Sequence, residues 1–201
     1  MSLEDYVESR LEELETIPPA RRDVLDQLSE FVRNCGRATT RLLFVCTHNS
    51  RRSQMAQIWA AAAASHCGVD RVEFYSGGTE ATAFDRRAVA AIERAGLQVA
   101  KLTGDSNPTY RITVGTMTLM LFSKTFDASA NPKAEFCAVM TCSEVDVACP
   151  SMPGASVRIL LPYEDPKHYD GAEVESEKYD EGCREISREM LYVFSRARSR
   201  L

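Results

Sequence analysis

The sequence predicts an α/β fold: a four-stranded parallel sheet with helices on both faces, plus an N-terminal helical extension and an inserted β-hairpin. Three observations predict it. From Arg41 onward, short and continuously apolar runs alternate with helix-length stretches, which is how strands buried on both faces read when helices connect them. Residues 1 to about 38 show only helical periodicity. Between Asn107 and Phe126 two short β-type runs interrupt the alternation.

In the extension, Leu3, Tyr6, Val7, Leu11 and Leu14 recur at helical spacing until Ile17-Pro18-Pro19 breaks the pattern. A second stretch carries Val24, Leu25, Leu28, Phe31 and Val32 and stops near Asn34-Cys35-Gly36. Two short amphipathic helices need a partner for their apolar faces. That partner is either the main domain or a second copy of the chain, as a homodimer. Leu42–Val45 is the first core strand, followed by a helix from Ser53 to about Cys67. Val72–Ser76 is the second strand, and a helix from Asp85 to Ala95 is closed by Gly96. Tyr110–Val114 and Met117–Leu121 flank Gly115-Thr116 and read as the hairpin. Phe136–Thr141 and Val157–Leu161 complete the strands, and a long helix runs from near Ala172 toward Arg196.

Composition excludes several roles. A net charge of −5 lacks the basic stripe that nucleic-acid binding needs, though local dipoles and one arginine can still hold a small anion. The acidic start of the chain has no apolar leader, and the run around Ile58–Ala64 is too short to span a bilayer. The expected location is therefore cytoplasmic, with no membrane partner. Seven cysteines without a leader do not read as a disulfide framework. With no CxxC and three scattered histidines, no metal site is expected.

The segment that carries chemistry is Cys46-Thr47-His48-Asn49-Ser50-Arg51-Arg52-Ser53, after a buried strand and at the opening of a helix. Backbone N–H groups there lack intrahelical partners, and the helix dipole is positive. A loop at that point can wrap a tetrahedral oxyanion, and the same field favours the thiolate of Cys46. Arg52 can offer a bidentate fork, while Arg51 adds a second positive charge. Ser53 can cap the helix and hydrogen-bond to the Cys46 sulfur. Asn49 suits a left-handed backbone position that holds the curvature.

With these residues in view, the chain resembles the low-molecular-weight protein tyrosine phosphatases and the arsenate reductases built on that fold, over most of residues 41 to 200. The run Asn49–Ala56 is more similar to the reductase branch, because phosphatases of this fold usually carry proline where this chain has Gln54. The resemblance implies two parts: residues 1–38 as the extension and 39–201 as a phosphatase-like catalytic domain. It implies Cys46 as nucleophile, with residues Thr47 to Ser53 holding the oxyanion. It also implies Asp165 of Asp165-Pro166 as the general acid that protonates the leaving oxygen.

Cys142 and Cys149, with six residues between them and Pro150 after the second, resemble the relay segment of the thioredoxin-coupled arsenate reductases. That resemblance implies a Cys46–Cys142 disulfide passed on to Cys149 and reduced by an external thiol donor such as thioredoxin, with no tightly bound cofactor. Seven helical positions would put the two thiols about 10 Å apart, beyond disulfide reach, so the segment between them has to bend. The implied substrate is arsenate; hydrolysis of phosphotyrosine or a small phosphoester is the alternative. Asn49, Gln57 and Ser76 match a loop-stabilising cation site of some relatives, but Gln57 replaces a usual acid.

Overall fold

The computed structural model describes residues 1–34, 38–144 and 151–198. In chain order the main elements are α1 (Leu3–Leu11), α2 (Pro19–Asn34), β1 (Thr40–Cys46), α3 (Arg52–Cys67), β2 (Val72–Gly78), α4 (Arg86–Arg94), β3 (Gln98–Thr103), β4 (Thr109–Val114), β5 (Met117–Leu121), β6 (Phe136–Met140), β7 (Ala155–Leu160) and α5 (Glu175–Ala197). The central sheet is parallel throughout, in the order β2-β1-β6-β7. β1 is interior, so the loop that leaves its C-terminal end emerges between two neighbours, where open parallel sheets bind ligands.

Alternation along β1 feeds two cores. Leu42 and Phe44 join the large cluster with Trp59, Ile58, Ile186 and Phe194. Leu43, Val45 and Cys46 join a smaller one with Phe136, Ala138, Met140, Cys142 and Met152. α3 shows no face to solvent from Arg52 to Ala64, because it is walled by the sheet, α5 and the β4–β5 pair. Its start is one residue earlier than Ser53, and the residue before it, Arg51, supplies no side-chain cap.

The insertion is larger than a hairpin. β3 pairs with β4, and β4 with β5, to make a three-stranded antiparallel sheet. β3 is mostly exposed, so it carries no apolar alternation that would have announced it. The C-terminal helix begins at Glu175 rather than near Ala172.

Both N-terminal helices spend their apolar faces within the chain. α1 opens on a capping box between Ser2 and Asp5, and its Tyr6 stacks on Trp59 at 5.1 Å between ring centroids. α2 opens on Pro19, the preferred first helical position for proline, and lies against α5. Arg21 of α2 grips Glu189 of α5 through Nε–Oε1 at 2.7 Å and Nη2–Oε2 at 2.9 Å. Glu189 is only 1% exposed, so Arg21→Met strands a charge in the core. This is expected to cost about 3–5 kcal/mol, read as a lower urea midpoint at unchanged slope. Adding Glu189→Leu is expected to restore most of it. Among the described residues no helix is long and apolar enough to cross a membrane.

Candidate active site

Cys46 ends β1 and is nearly inaccessible, at 3% exposed. The loop that follows turns its carbonyls outward. Cys46 O accepts from Thr79 N at 3.3 Å and Thr47 O from Glu80 N at 2.9 Å. His48 O accepts from Ser123 Oγ at 2.9 Å and Thr82 Oγ1 at 3.2 Å. Ser50 O accepts from Asp85 N at 2.9 Å. With the carbonyls so engaged, the amide groups of residues 47–51 donate to no other protein group among the described residues. Successive free N–H groups in one turn form an anion-binding concavity.

Two features fix this curvature. Asn49 has φ +46°, the left-handed conformation expected for it, and its Oδ1 accepts from Lys124 N at 2.9 Å. Gly78, at the end of β2, comes so near that an added Cβ would lie 2.6 Å from Thr47 O and 2.7 Å from Asn49 N. Only glycine lets the neighbouring strand approach the loop that closely.

The partner of Cys46 is Ser53, whose Oγ lies 3.0 Å from Cys46 Sγ. Asn49 Nδ2 donates to the same Oγ at 2.8 Å. An amide N–H can only donate, so the serine oxygen accepts from Asn49 and its own proton is free to point at the sulfur. Ser53 thus serves the thiolate instead of capping α3.

Asp165, at the mouth, is gripped by both arginines. Arg51 reaches it through Nε–Oδ1 at 2.7 Å and Nη2–Oδ2 at 3.2 Å; Arg52 reaches it through Nη2–Oδ2 at 2.8 Å. Arg52 also donates from Nη1 to the Tyr163 carbonyl at 3.2 Å. Burial pushes the Asp165 carboxyl up, but the two guanidiniums outweigh it and hold it below the usual carboxylate range. Cys46, His48, Ser50, Arg51, Arg52 and Asp165 line a small, tight hollow.

Cys142 follows β6 directly and is fully buried. Its Sγ lies 3.7 Å from Thr47 Oγ1, which brings a second thiol to the floor of the loop. Cys149 lies outside the described residues. Of the residues matching a relative's cation site, Gln57 donates from Nε2 to Phe74 O at 2.8 Å, while its Oε1 and Ser76 Oγ are buried without a hydrogen-bond partner among the described residues. The sequence pattern did not point to Asp85, Ser123 or Lys124. Asp85 was legible only as the start of a helix, and Ser123 and Lys124 follow the hairpin strands with no motif around them. Lys124 is buried, which lowers its ammonium to about 8.

Comparison with known proteins agrees with this architecture. The profile of the family described as low molecular weight phosphotyrosine protein phosphatase matches residues 41–114. An arsenate reductase of Halalkalibacterium halodurans is 28% identical over 134 residues, covering 67% of this chain and 79% of that protein. An arsenate reductase of Staphylococcus aureus is 30% identical over 112 residues, 56% of this chain and 67% of that protein. Among solved structures, a low molecular weight protein tyrosine phosphatase from T. tengcongensis aligns with a TM-score of 0.50 at 20% identity, over 76% of this chain and 95% of that one.

Proposed function

Because the chain belongs to the low molecular weight phosphotyrosine protein phosphatase family, among the arsenate reductases built on that fold, we propose that it reduces arsenate to arsenite, starting from the Cys46 thiolate. The observation that carries this reading is the second buried thiol beside the loop, Cys142, with its sulfur 3.7 Å from Thr47 Oγ1. Hydrolysis through a phosphocysteine has no use for it.

The free amides of the loop and Arg52 bind the oxyanion. Cys46 Sγ attacks arsenic, and one oxygen leaves as water once Asp165 has delivered a proton. Cys142, as thiolate, then attacks Cys46 Sγ. The S–As electron pair stays on arsenic, which leaves as arsenite two electrons reduced, and a Cys46–Cys142 disulfide remains. Cys149 attacks Cys142 next, which frees the Cys46 thiolate by thiol–disulfide exchange. An external dithiol of the thioredoxin type reduces the Cys142–Cys149 bond and completes the balance.

Asp165 is ionised at neutral pH in the resting arrangement. For it to hand over a proton, the incoming anion has to displace a guanidinium and raise its affinity for protons. The lining also favours a small oxyanion: it is charged and polar, with no phenyl or phenol ring to hold an aryl group.

The test is arsenite production from arsenate with thioredoxin, thioredoxin reductase and NADPH, run beside hydrolysis of an aryl phosphate. Thioredoxin-dependent arsenite release is the expected result. Aryl phosphate hydrolysis with no arsenite from any thiol donor would sink the reductase reading.

A further inference from the structure

Arg51 sits directly before Arg52 in the loop and is as deeply buried, at 7% exposed. Its guanidinium faces two carboxylates. It takes Asp165 through two nitrogens, as described, and places Nη1 3.3 Å from Asp85 Oδ2. Asp85 is itself fixed as the N-cap of α4, accepting from Arg87 N at 2.8 Å. The result is an ordered row, Asp85–Arg51–Asp165–Arg52, in which Asp165 gives two contacts to Arg51 and one to Arg52.

The row poses a competition. Arg52 is the loop's closing arginine, and a carboxylate on its fork occupies the place an oxyanion oxygen needs. Planar guanidinium–carboxylate pairing is strongest when bidentate. Left alone with Arg52, Asp165 would take both of its inward-facing nitrogens and plug the loop. Arg51 offers it an alternative bidentate seat one residue away, and Asp85 keeps that seat facing the mouth.

We infer that Arg51 is a positioning residue that holds Asp165 at the mouth and so releases Arg52 to the arriving oxyanion. This rests on the reading of the Cys46 loop as an oxyanion site. It differs from a direct role for Arg51 as an oxyanion ligand, since it makes the value of Arg51 depend on the charge at position 165.

That dependence is the experiment. Inorganic phosphate binding is measured by calorimetry at neutral pH for the wild type, Arg51→Met, Asp165→Asn and the double variant, each checked for its thermal transition. With Asp165 present, Arg51→Met is expected to weaken phosphate at least roughly tenfold, about 1.4 kcal/mol. With Asp165→Asn already in place, the same change is expected to cost less than about threefold, because no carboxylate is left to seize Arg52. Equal losses in both backgrounds would overturn the inference and make Arg51 a direct ligand. No phosphate or arsenate binding by the wild type would instead refute the oxyanion reading beneath it. Should Arg51→Met fail to fold, Asp85→Asn repeats the comparison, since it loosens Arg51 while leaving both guanidiniums. A smaller weakening that Asp165→Asn abolishes supports the inference, and one that Asp165→Asn leaves intact overturns it.

Discussion

Cys46→Ser is expected to give a folded protein that still binds phosphate and turns over neither arsenate nor an aryl phosphate. The loss is expected to be at least about 10⁴-fold, equivalent to some 5.4 kcal/mol of barrier. The substitution is nearly isosteric, and the groups that bind the anion are others: the amides of residues 47–51 and the arginine behind them. What disappears is the thiolate. A serine hydroxyl at the end of β1 receives a hydrogen bond from Ser53 but has no general base at hand to take its proton, and an unactivated hydroxyl is a poor nucleophile. Phosphate calorimetry beside steady-state turnover checks both halves. Residual turnover within a hundredfold of wild type would mean that another residue attacks.

Cys142→Ser is expected to fail differently. Arsenic still reaches Cys46, yet the adduct has no internal thiol to resolve it, so thioredoxin-driven turnover falls by about 10³-fold or more. A small thiol such as mercaptoethanol, at high concentration, is expected to restore a slow rate by attacking in place of Cys142. Cys142 is fully buried, and a protein dithiol is far too large to follow it there. Mass spectrometry of non-reduced peptides supplies the matching observation: arsenate treatment of the wild type joins Cys142 to another cysteine, and the variant leaves Cys46 without a disulfide partner. Wild-type turnover in Cys142→Ser would end the relay mechanism.

Much of this was legible in the residues. Leu42–Val45 and Phe136–Thr141 read as buried strands because each is apolar on both faces, and both are interior strands. The loop announced itself because its chemistry is sequential: Cys46, Asn49, Arg52 and Ser53 lie within one turn of chain. The left-handed Asn49 followed from the same local logic. Three things were not legible. β3 is held by pairing to β4 while most of its side chains meet water, so its strand character lives in its neighbour. The grip of Arg51 on Asp165 joins residues 114 positions apart, which no window along the sequence contains. Which of its two expected roles Ser53 takes, helix cap or donor to Cys46, is decided only by the fold, which sets the sulfur 3.0 Å away.

The packing of the N-terminal helices has a consequence for the order in which the fold assembles. Arg21 meets Glu189 across 168 residues, Glu13 meets Arg184 across 171, and Tyr6 leans on a tryptophan whose indole N–H donates to Cys183 at 3.1 Å. α1 and α2 therefore complete their packing only when α5 is in place, although Trp59 of α3 meets Tyr6 without it. Contacts of such long sequence separation slow folding, because the entropy of closing the loop is spent before they form. Until then part of the apolar faces of α1 and α2 stays uncovered, and it is in such states that aggregation threatens and chaperones bind. Closure of the fold is set by the docking of α5.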